Sequence, residues 1–442
     1  LAEMNKRMRN FGESYLQAAR DYAESGNYEE AVAILAQCTE EKPMLYYYKG
    51  YYLHCMGSTT EAKAVYETAE RCSPLYCFPN KLEDIAVLKD AIAACSDGAK
   101  AYYYLGNLYY DKLQFDRAVA LWEESEKRDD SFPTVHRNLA IAYYNKKKDP
   151  ARAQEELERA YELDETDARV FLELDQLYKK LEVPFEQRIQ NYEKHPEVIE
   201  ERDDVRIEYI TLQNLLGNYK KAYESIMSHT FRPWEGAEGK ITTQYKIALL
   251  EMAKECIDVK EYGQAKDYLE KALRYPENLG EGRLEGTKDN HIYYYLGICN
   301  KALGKEQEAH GYFERASLGD IEPAGVMYYY DQPADMILYQ GLAKRELGKE
   351  KEARSRFFKL LDYGEQHLND EMRIEYFAVS LPDFLIFEDD LNRKNKAHCW
   401  YLMGLSSLGL GELQKAEGFF DKALSYDANH QNARMYRKMT LK

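Results

Sequence analysis

Apolar and small residues recur along this chain at the spacing of paired helices. In the sharpest copy, four residues at i, i+3, i+4 and i+7 share one helix face, and small and aromatic residues follow on a second helix. These positions are Tyr102, Leu105, Gly106 and Tyr109, and then Ala118, Trp122 and Ser125. The small residues Gly106 and Ala118 allow two antiparallel helices to approach closely. The pattern therefore predicts a helical hairpin, and the next copy begins about 34 residues further on.

Similar copies cover most of the chain. They are represented by Tyr15, Ala19 and Ala31; Tyr46, Gly50 and Ala62; Leu139 and Ala140; Ala253, Ala265 and Leu269; Tyr293, Gly297 and Ala309; Gly341 and Ala353; and Trp400, Gly404 and Ala416. Two stretches depart from the pattern, residues 168 to 232 and residues 378 to 396. In the first, Val183-Pro184 and His195-Pro196 interrupt the helices, because proline lacks an amide donor and biases the preceding residue away from helix. We expect irregular backbone near residues 183 to 203 and 378 to 396.

These motifs resemble those of the tetratricopeptide repeat family. The resemblance implies an all-α, right-handed α-solenoid superhelix of about nine to ten helix pairs. We predict one solenoid over residues 1–442, divided into N-terminal repeats with an extra helix near residues 82 to 96 (1–98), regular repeats (99–180), degenerate repeats (181–240) and C-terminal repeats with long loops (241–442). The segment Gln431 to Lys442 is predicted to form a last helix that caps the exposed edge of the final repeat.

Charge and chemistry argue for a binding protein. The formal net charge of −17 is spread along the chain, whereas nucleic-acid binding requires clustered Lys and Arg. No apolar run approaches membrane-spanning length. The eight cysteines form no Cys-x2-Cys pair and are expected to be reduced core thiols, which favours a cytoplasmic protein. We expect no metal, no cofactor and no catalytic residue, because neither a ligand cluster nor a nucleophile motif is visible. Leu1 in place of an initiator Met indicates a piece of a longer protein.

The first candidate binding surface is a concave groove rich in tyrosine. By the register that the family resemblance implies, the first helix of each repeat lines this groove. The predicted groove residues are Tyr47, Tyr51, His54, Tyr103, Asn107, Tyr110, Arg137, Tyr144 and Asn145. In the triplets Tyr46–Tyr48 and Tyr102–Tyr104 the first tyrosine is expected in the core and the middle one in the groove. Tyrosine presents a large apolar face and one hydroxyl, which suits an extended peptide or a sugar ring, although many of the 40 tyrosines must fill the core.

The second candidate is a pair of glycine-rich loops that follow consecutive repeats. Residues 231–241 and 276–290 share Glu-Gly followed by a base, and stacked repeats should bring the two loops side by side. Connections of this length are often functional. The predicted loop-binding residues are Trp234, Glu238, Lys240, Asn278, Glu281 and Arg283. The alternative is that each loop only re-aims the solenoid.

The loop pair also resembles the C-terminal region of large bacterial proteins in which a mutarotase-like β-sandwich domain of unknown function precedes tetratricopeptide repeats. That resemblance implies a carbohydrate-related context. Three functions remain open. The first is a non-catalytic scaffold for a protein or peptide partner, or for an N-terminal domain of the same polypeptide. The second is direct carbohydrate binding. The third is a lid that completes an active site of the parent protein.

Overall fold

The described part of the chain is helical throughout. The computed structural model describes residues 2–233, 237–325, 332–373 and 386–441. Among these residues there is no β-strand, which confirms the all-α prediction. None of the described helices is long and apolar enough to cross a membrane. The residues group into two compact units, Leu1–Leu174 and Asp175–Lys442; the finer division predicted above stays a prediction.

The first unit contains the helices up to residue 174. They are α1 (Ala2–Met8), α2 (Gly12–Glu24), α3 (Tyr28–Leu35), α4 (Pro43–Cys55), α5 (Thr59–Arg71), α6 (Glu83–Ala94), α7 (Lys100–Asp111), α8 (Phe115–Glu126), α9 (Pro133–Ala142), a π-helical turn (Tyr143–Lys147), α10 (Pro150–Leu163) and α11 (Ala168–Lys180), whose last turns belong to the second unit. Helix α6 is the extra helix that the sequence predicted, and it packs against α4 and α7.

The second unit contains the remaining helices. They are α12 (Phe185–Lys194), α13 (Pro196–Glu201), α14 (Asp203–Leu215), α15 (Tyr219–Met227), α16 (Lys240–Asp258), α17 (Tyr262–Ala272), a 3-10 turn (Glu277–Leu279), α18 (Asn290–Ala302), α19 (Glu306–Ala316), α20 (Met336–Glu346), α21 (Glu350–His367), α22 (Leu391–Leu410), α23 (Leu413–Tyr426) and α24 (Gln431–Met439). Pro184 directly precedes α12 and Pro196 is the first residue of α13, a position where the missing amide donor is tolerated. The prediction of irregular backbone near residues 183 to 203 is therefore largely wrong, because these two short helices cover most of that segment.

Nine antiparallel helix pairs can be counted among the described residues. The pairs are α2/α3, α4/α5, α7/α8, α9/α10, α14/α15, α16/α17, α18/α19, α20/α21 and α22/α23. Gly106, Gly297 and Gly404 each face an aromatic ring of the partner helix, and a Cβ at any of the three would lie 2.5 Å from that ring, which confirms their predicted orientation. A second prediction is partly wrong: α22 already begins at Leu391, within the segment 378 to 396 that was expected to be irregular. Residues 374–385 lie outside the described residues.

The last helix does more than cap the final pair. Helix α24 packs on α23, as predicted, but its side chains also bond to α15 and α16 of the same unit. Just before it, the Asn429 amide donates to the Lys179 carbonyl at 2.9 Å and accepts from Arg188 at 3.1 Å. The C-terminal segment therefore joins the end of the second unit to its beginning.

Candidate functional site

The clearest cavity in the second unit lies beside the two glycine-rich loops. Its volume is about 610 Å³, and its walls come from the end of α11, α12, α14, both loops, the start of α16 and the start of α24 with the segment before it. The polar lining residues are Lys179, Arg188, Glu208, Thr211, Glu238, Lys240, Thr242, Thr243, Gln244, Lys246, Tyr275, Glu281, Thr287, Asn429 and Gln431. We call this cavity the loop pocket. Three predicted loop residues, Glu238, Lys240 and Glu281, line it.

The two loops contact each other directly, as the repeat pattern predicted. The Phe231 amide donates to the Asn278 carbonyl at 2.8 Å, and the Asn278 side chain donates to the carbonyls of Ile226 and His229. Gly280 has φ +70°, and a Cβ there would lie 2.5 Å from the Phe231 carbonyl oxygen. Only glycine fits this backbone and this approach. Asn278 therefore fixes the loop pair from within and does not line the pocket.

Glu281 ties the second loop to the start of α16. Its Oε2 accepts from the Gly239 amide at 2.9 Å. Gly239 directly precedes α16, at the N-terminal end of the helix, where backbone amides lack intrahelical acceptors. Its Oε1 is buried without a hydrogen-bond partner. Burial and the nearby Glu238 raise the Glu281 pKa, against the effect of the Gly239 hydrogen bond. The carboxyl group therefore presents one unsatisfied oxygen at the pocket wall.

Arg283 has a structural contact. Its guanidinium donates to Asp289 Oδ2 at 2.7 Å, at the start of α18, and Lys246 Nζ lies 3.4 Å from the other Asp289 oxygen. Arg283 does not line the loop pocket, whereas Lys246 does. Trp234 lies outside the described residues, so its predicted role stays a prediction.

The predicted groove tyrosines of α4 are largely engaged within the fold. Tyr47 is 0% exposed and donates to Glu70 at 2.7 Å. Its assignment to an open groove is therefore wrong. Tyr51 is half-buried, and the exposed His54 lies 2.7 Å from Asp90 of α6. The inserted helix α6 supplies this partner, which register alone did not reveal.

In α7 the middle tyrosine of the triplet is again in the core. Tyr103 is 6% exposed and packs edge-on against Phe132, so the groove prediction is wrong for it as well. The first tyrosine, Tyr102, is instead half-buried under the Arg128 guanidinium at 4.1 Å. Asn107 and Tyr110 remain partly accessible.

The Asn107 and Tyr110 side chains of α7 both contact the Trp122 indole. The Asn107 carbonyl oxygen accepts from Trp122 Nε1 at 3.0 Å, and the Tyr110 ring lies 5.3 Å from the Trp122 ring. Their orientation is therefore fixed by the core residue that packs on Gly106.

The predicted residues of α9 and the following turn also have partners. Arg137 donates to both oxygens of Glu173, at 2.5 and 2.7 Å, and Glu173 is almost completely buried. Asn145 is buried in the π-helical turn, and Tyr144 beside it is half-buried. Arg137 therefore serves an internal ion pair in the first unit.

One buried cluster of ionisable groups was not predicted from the sequence. His136 Nδ1 lies 2.7 Å from Glu156 Oε2, its Nε2 lies 2.9 Å from the Asp130 carbonyl oxygen, and Glu126 is the third member. Both ring nitrogens face acceptors, so the imidazolium form fits. Burial lowers the His136 pKa, but the hydrogen bonds to Glu156 and Asp130 outweigh it and raise the pKa overall. The geometry thus favours a buried ion pair over metal coordination.

Comparison with known families identifies the repeats. A tetratricopeptide repeat family matches residues 103–168, and a second family of the same description matches residues 12–43 and 397–430. The matched segments therefore contain tetratricopeptide repeats, as the residue pattern predicted.

Solved structures of similar fold include other repeat proteins. The P58(IPK) TPR domain is 11% identical, with 99% of this chain and 89% of that chain covered at a TM-score of 0.26. YrrB, described as a TPR protein with an unusual peptide-binding site, is 17% identical, with 44% and 93% covered and a TM-score of 0.32. A tetratricopeptide repeat protein from Parabacteroides merdae is 15% identical, with 63% and 93% covered and a TM-score of 0.27.

Proposed function

We propose that this protein is a non-catalytic interaction scaffold and that its partner binds at the loop pocket. Tetratricopeptide repeats typically serve protein–protein interaction, which supports the general role. The loop pocket supports the location, because it combines ligand-sized volume with loops longer than ordinary helix connections. The partner is a separate protein or another domain of the same polypeptide.

The pocket chemistry suits a peptide segment. Lys240 and Lys246 of α16 provide charged donors, and Glu208 of α14 and Glu238 of the first loop provide acceptors. Thr242 and Thr243 add hydroxyl groups between them. An extended peptide presents alternating carbonyl and amide groups, so it can use both kinds of lining residue.

The tyrosine-rich groove contributes less to this proposal than the sequence suggested. Tyr47 and Tyr103 are buried, and Arg137 is held by Glu173. The accessible remainder consists of Tyr51, His54, Asn107, Tyr110 and Tyr144, with Asn145 buried beside it. We propose these residues only as a secondary contact surface.

An array of short peptides of randomised sequence tests the pocket. We expect a subset to bind the wild-type chain and to lose affinity in the Lys240→Ala variant. Lys220→Ala is the matched control, because Lys220 is 83% exposed on α15 and does not line the pocket. Equal binding by wild type and Lys240→Ala would remove the pocket from the proposal.

Carbohydrate binding, alone or as a lid of a sugar-processing parent, is the second candidate. The observation that favours it is the position of Tyr275 in the pocket wall among threonine hydroxyls and carboxylates, since sugars combine hydroxyl groups with an apolar ring face. Calorimetric titration with an oligosaccharide panel separates the candidates. A heat of oligosaccharide binding that depends on Tyr275, with no binding of any peptide, would favour carbohydrate binding.

A further inference from the structure

We propose that the loop pocket recognises a lysine side chain of its peptide partner and that Glu281 accepts the hydrogen bond from the ammonium group. This inference rests on the proposed function, because it names the residue that anchors the peptide in the same pocket. The part of the pocket concerned consists of Glu238, Gly239, Glu281 and Gly282, and we call it the acidic wall.

Two carboxyl groups from different loops meet at the acidic wall. Glu238 belongs to the first loop and Glu281 to the second, and both line the pocket. The loops are joined here by the hydrogen bond from the Gly239 amide to Glu281 Oε2 at 2.9 Å. Burial, and in addition the charge of Glu238, raise the Glu281 pKa. Negative charge from both loops therefore converges on one side of the pocket.

The two oxygens of Glu281 are in different situations. Oε2 accepts from the Gly239 amide, whereas Oε1 is buried without a hydrogen-bond partner. Buried polar groups are normally satisfied, and an unsatisfied one costs free energy. A proton on Oε1 does not remove the deficit, because the resulting hydroxyl would also lack a partner. A ligand that donates one hydrogen bond and carries a positive charge would satisfy Oε1 and offset the charge of Glu238.

The nearby cations of the pocket are engaged elsewhere. Lys179 Nζ lies 3.6 Å from Glu208, and Lys246 Nζ lies 3.4 Å from Asp289. Among the described groups that shift the Glu281 pKa there is no cation. The acidic wall is therefore the side of the pocket that attracts a positively charged group from a partner.

The acidic wall leaves room for a side chain to approach. Gly239 and Gly282 both line the pocket, and no heavy atom lies within 4 Å of the Cβ position of either glycine. Tyr275 and the 72% exposed Leu284 belong to the same lining. They provide apolar surface for the methylene stem of a lysine, whose charged end then reaches Glu281.

The single free oxygen favours lysine over arginine. A guanidinium group pairs best with both oxygens of a carboxylate, through two parallel hydrogen bonds. Such a pair at Glu281 would have to displace the Gly239 amide from Oε2. An ammonium group is a compact charge that needs only Oε1, so it leaves the contact between the two loops intact.

The test uses four libraries of acetylated, amidated heptapeptides that differ in the fixed central residue. That residue is lysine, arginine, glutamate or norleucine, which has the shape of lysine without its ammonium group, and the other positions are random mixtures of uncharged residues. Capture by the immobilised full chain is quantified by mass spectrometry. We expect the lysine library to be captured at least about tenfold more than the norleucine library, as for a hydrogen bond to a charged group, and several-fold more than the arginine library.

A variant of Glu281 connects this preference to the acidic wall. Glu281→Gln keeps an oxygen that can accept from the Gly239 amide but removes the charge, so the ratio of lysine to norleucine capture should fall towards one. Glu224→Gln is the matched control, because Glu224 is 63% exposed on α15 and does not line the pocket. If Glu281→Gln loses its helical circular dichroism, Glu238→Gln takes its place, and the ratio should fall there as well.

The outcomes separate this inference from the proposed function. Equal, Lys240-dependent capture of the lysine and norleucine libraries would overturn the lysine anchor and leave the peptide-binding proposal standing. Preferred capture of the glutamate library would show that the basic lining residues recognise an anion instead. Cadaverine that binds as tightly as the lysine library would identify a free amine as the ligand and overturn the peptide lysine. The absence of any capture would count against both proposals.

Discussion

Gly106 and Trp122 are in direct contact across the helix pair α7/α8. A Cβ at Gly106 would lie 2.5 Å from Trp122 Cδ1, closer than real Cβ atoms approach. The indole Nε1 donates to the Tyr103 carbonyl at 3.2 Å and to Asn107, so the ring cannot easily move away. The same glycine-to-aromatic contact, sixteen residues apart, recurs at Gly50–Tyr66, Gly297–Phe313, Gly341–Phe357 and Gly404–Phe420. This contact sets the closeness of the paired helices.

Substitution of Gly106 should therefore destabilise the first unit. We expect Gly106→Leu to lower the free energy of unfolding by roughly 1 to 3 kcal/mol, because the added side chain overpacks the pair. Denaturant unfolding followed by circular dichroism measures the change. Gly311→Ala is the control: Gly311 lies within α19 with nothing within 4 Å of its Cβ position, so alanine should stabilise that helix by about 1 kcal/mol. A Gly106→Leu variant as stable as wild type would contradict the packing account.

The residue pattern was sufficient to predict the helix pairs because the residues that contact each other across a pair are close in sequence. Gly106 and Trp122 are near in sequence, and the helical period places them together. The groove residues were harder to predict, since Tyr47 is enclosed by Glu70 of its partner helix α5 and by Tyr104 of the next repeat. His54 faces Asp90 of α6, a helix outside the repeat. The loop contact was predicted because equivalent positions of stacked repeats meet. The bonds between Gln431 and Gln244 were not predicted, because no repeat period relates residues so far apart.

The His136–Glu156 pair should make stability depend on pH. The His136 pKa is raised above the ordinary value of 6.5 in the folded chain. The folded state thus holds a proton that the unfolded state releases, so the pair contributes fully below pH 6.5 and loses its contribution as the pH rises through the folded pKa. We expect the melting temperature of the first unit to fall over that range, measured by calorimetry.

A variant separates this pair from other titrating groups. Glu156→Gln keeps the shape but removes the carboxylate that faces Nδ1, while Glu126 and the Asp130 carbonyl remain. The melting temperature of this variant should be lower below pH 6.5 and should change less as the pH rises. A pH profile parallel to that of the wild type would show that His136 is not the titrating group.

The buried pair Arg188–Asp175 should be costly to break. Arg188 is 1% exposed, donates to both Asp175 oxygens at 2.8 and 2.7 Å, and Asp175 also accepts from Tyr192. Arg188→Leu leaves a buried carboxylate with one remaining donor. We expect a loss of about 3 to 5 kcal/mol in the free energy of unfolding of the second unit.

Replacement of both partners tests the cause of that loss. The double variant Arg188→Leu, Asp175→Leu should recover part of the stability, because no unpaired charge remains buried. Lys220→Ala serves as the surface control, since Lys220 and Glu224 are 83% and 63% exposed and such pairs contribute about 0 to 1 kcal/mol. If Arg188→Leu costs no more than Lys220→Ala, the pair does not anchor α12.

The cysteines should differ sharply in reactivity. All eight are free, and only Cys55 is exposed. Burial raises the pKa of Cys77 and of Cys399 to about 12 and that of Cys299 to about 11. Alkylation requires an accessible thiolate, so iodoacetamide at neutral pH should label Cys55 first and should label Cys77, Cys299 and Cys399 only after unfolding. Mass spectrometry of timed digests measures this order.

In a Cys55→Ser control the fast phase of labelling should disappear while the slow sites stay unchanged. Rapid labelling of Cys299 in the folded chain would show that the α18 core is open to solvent.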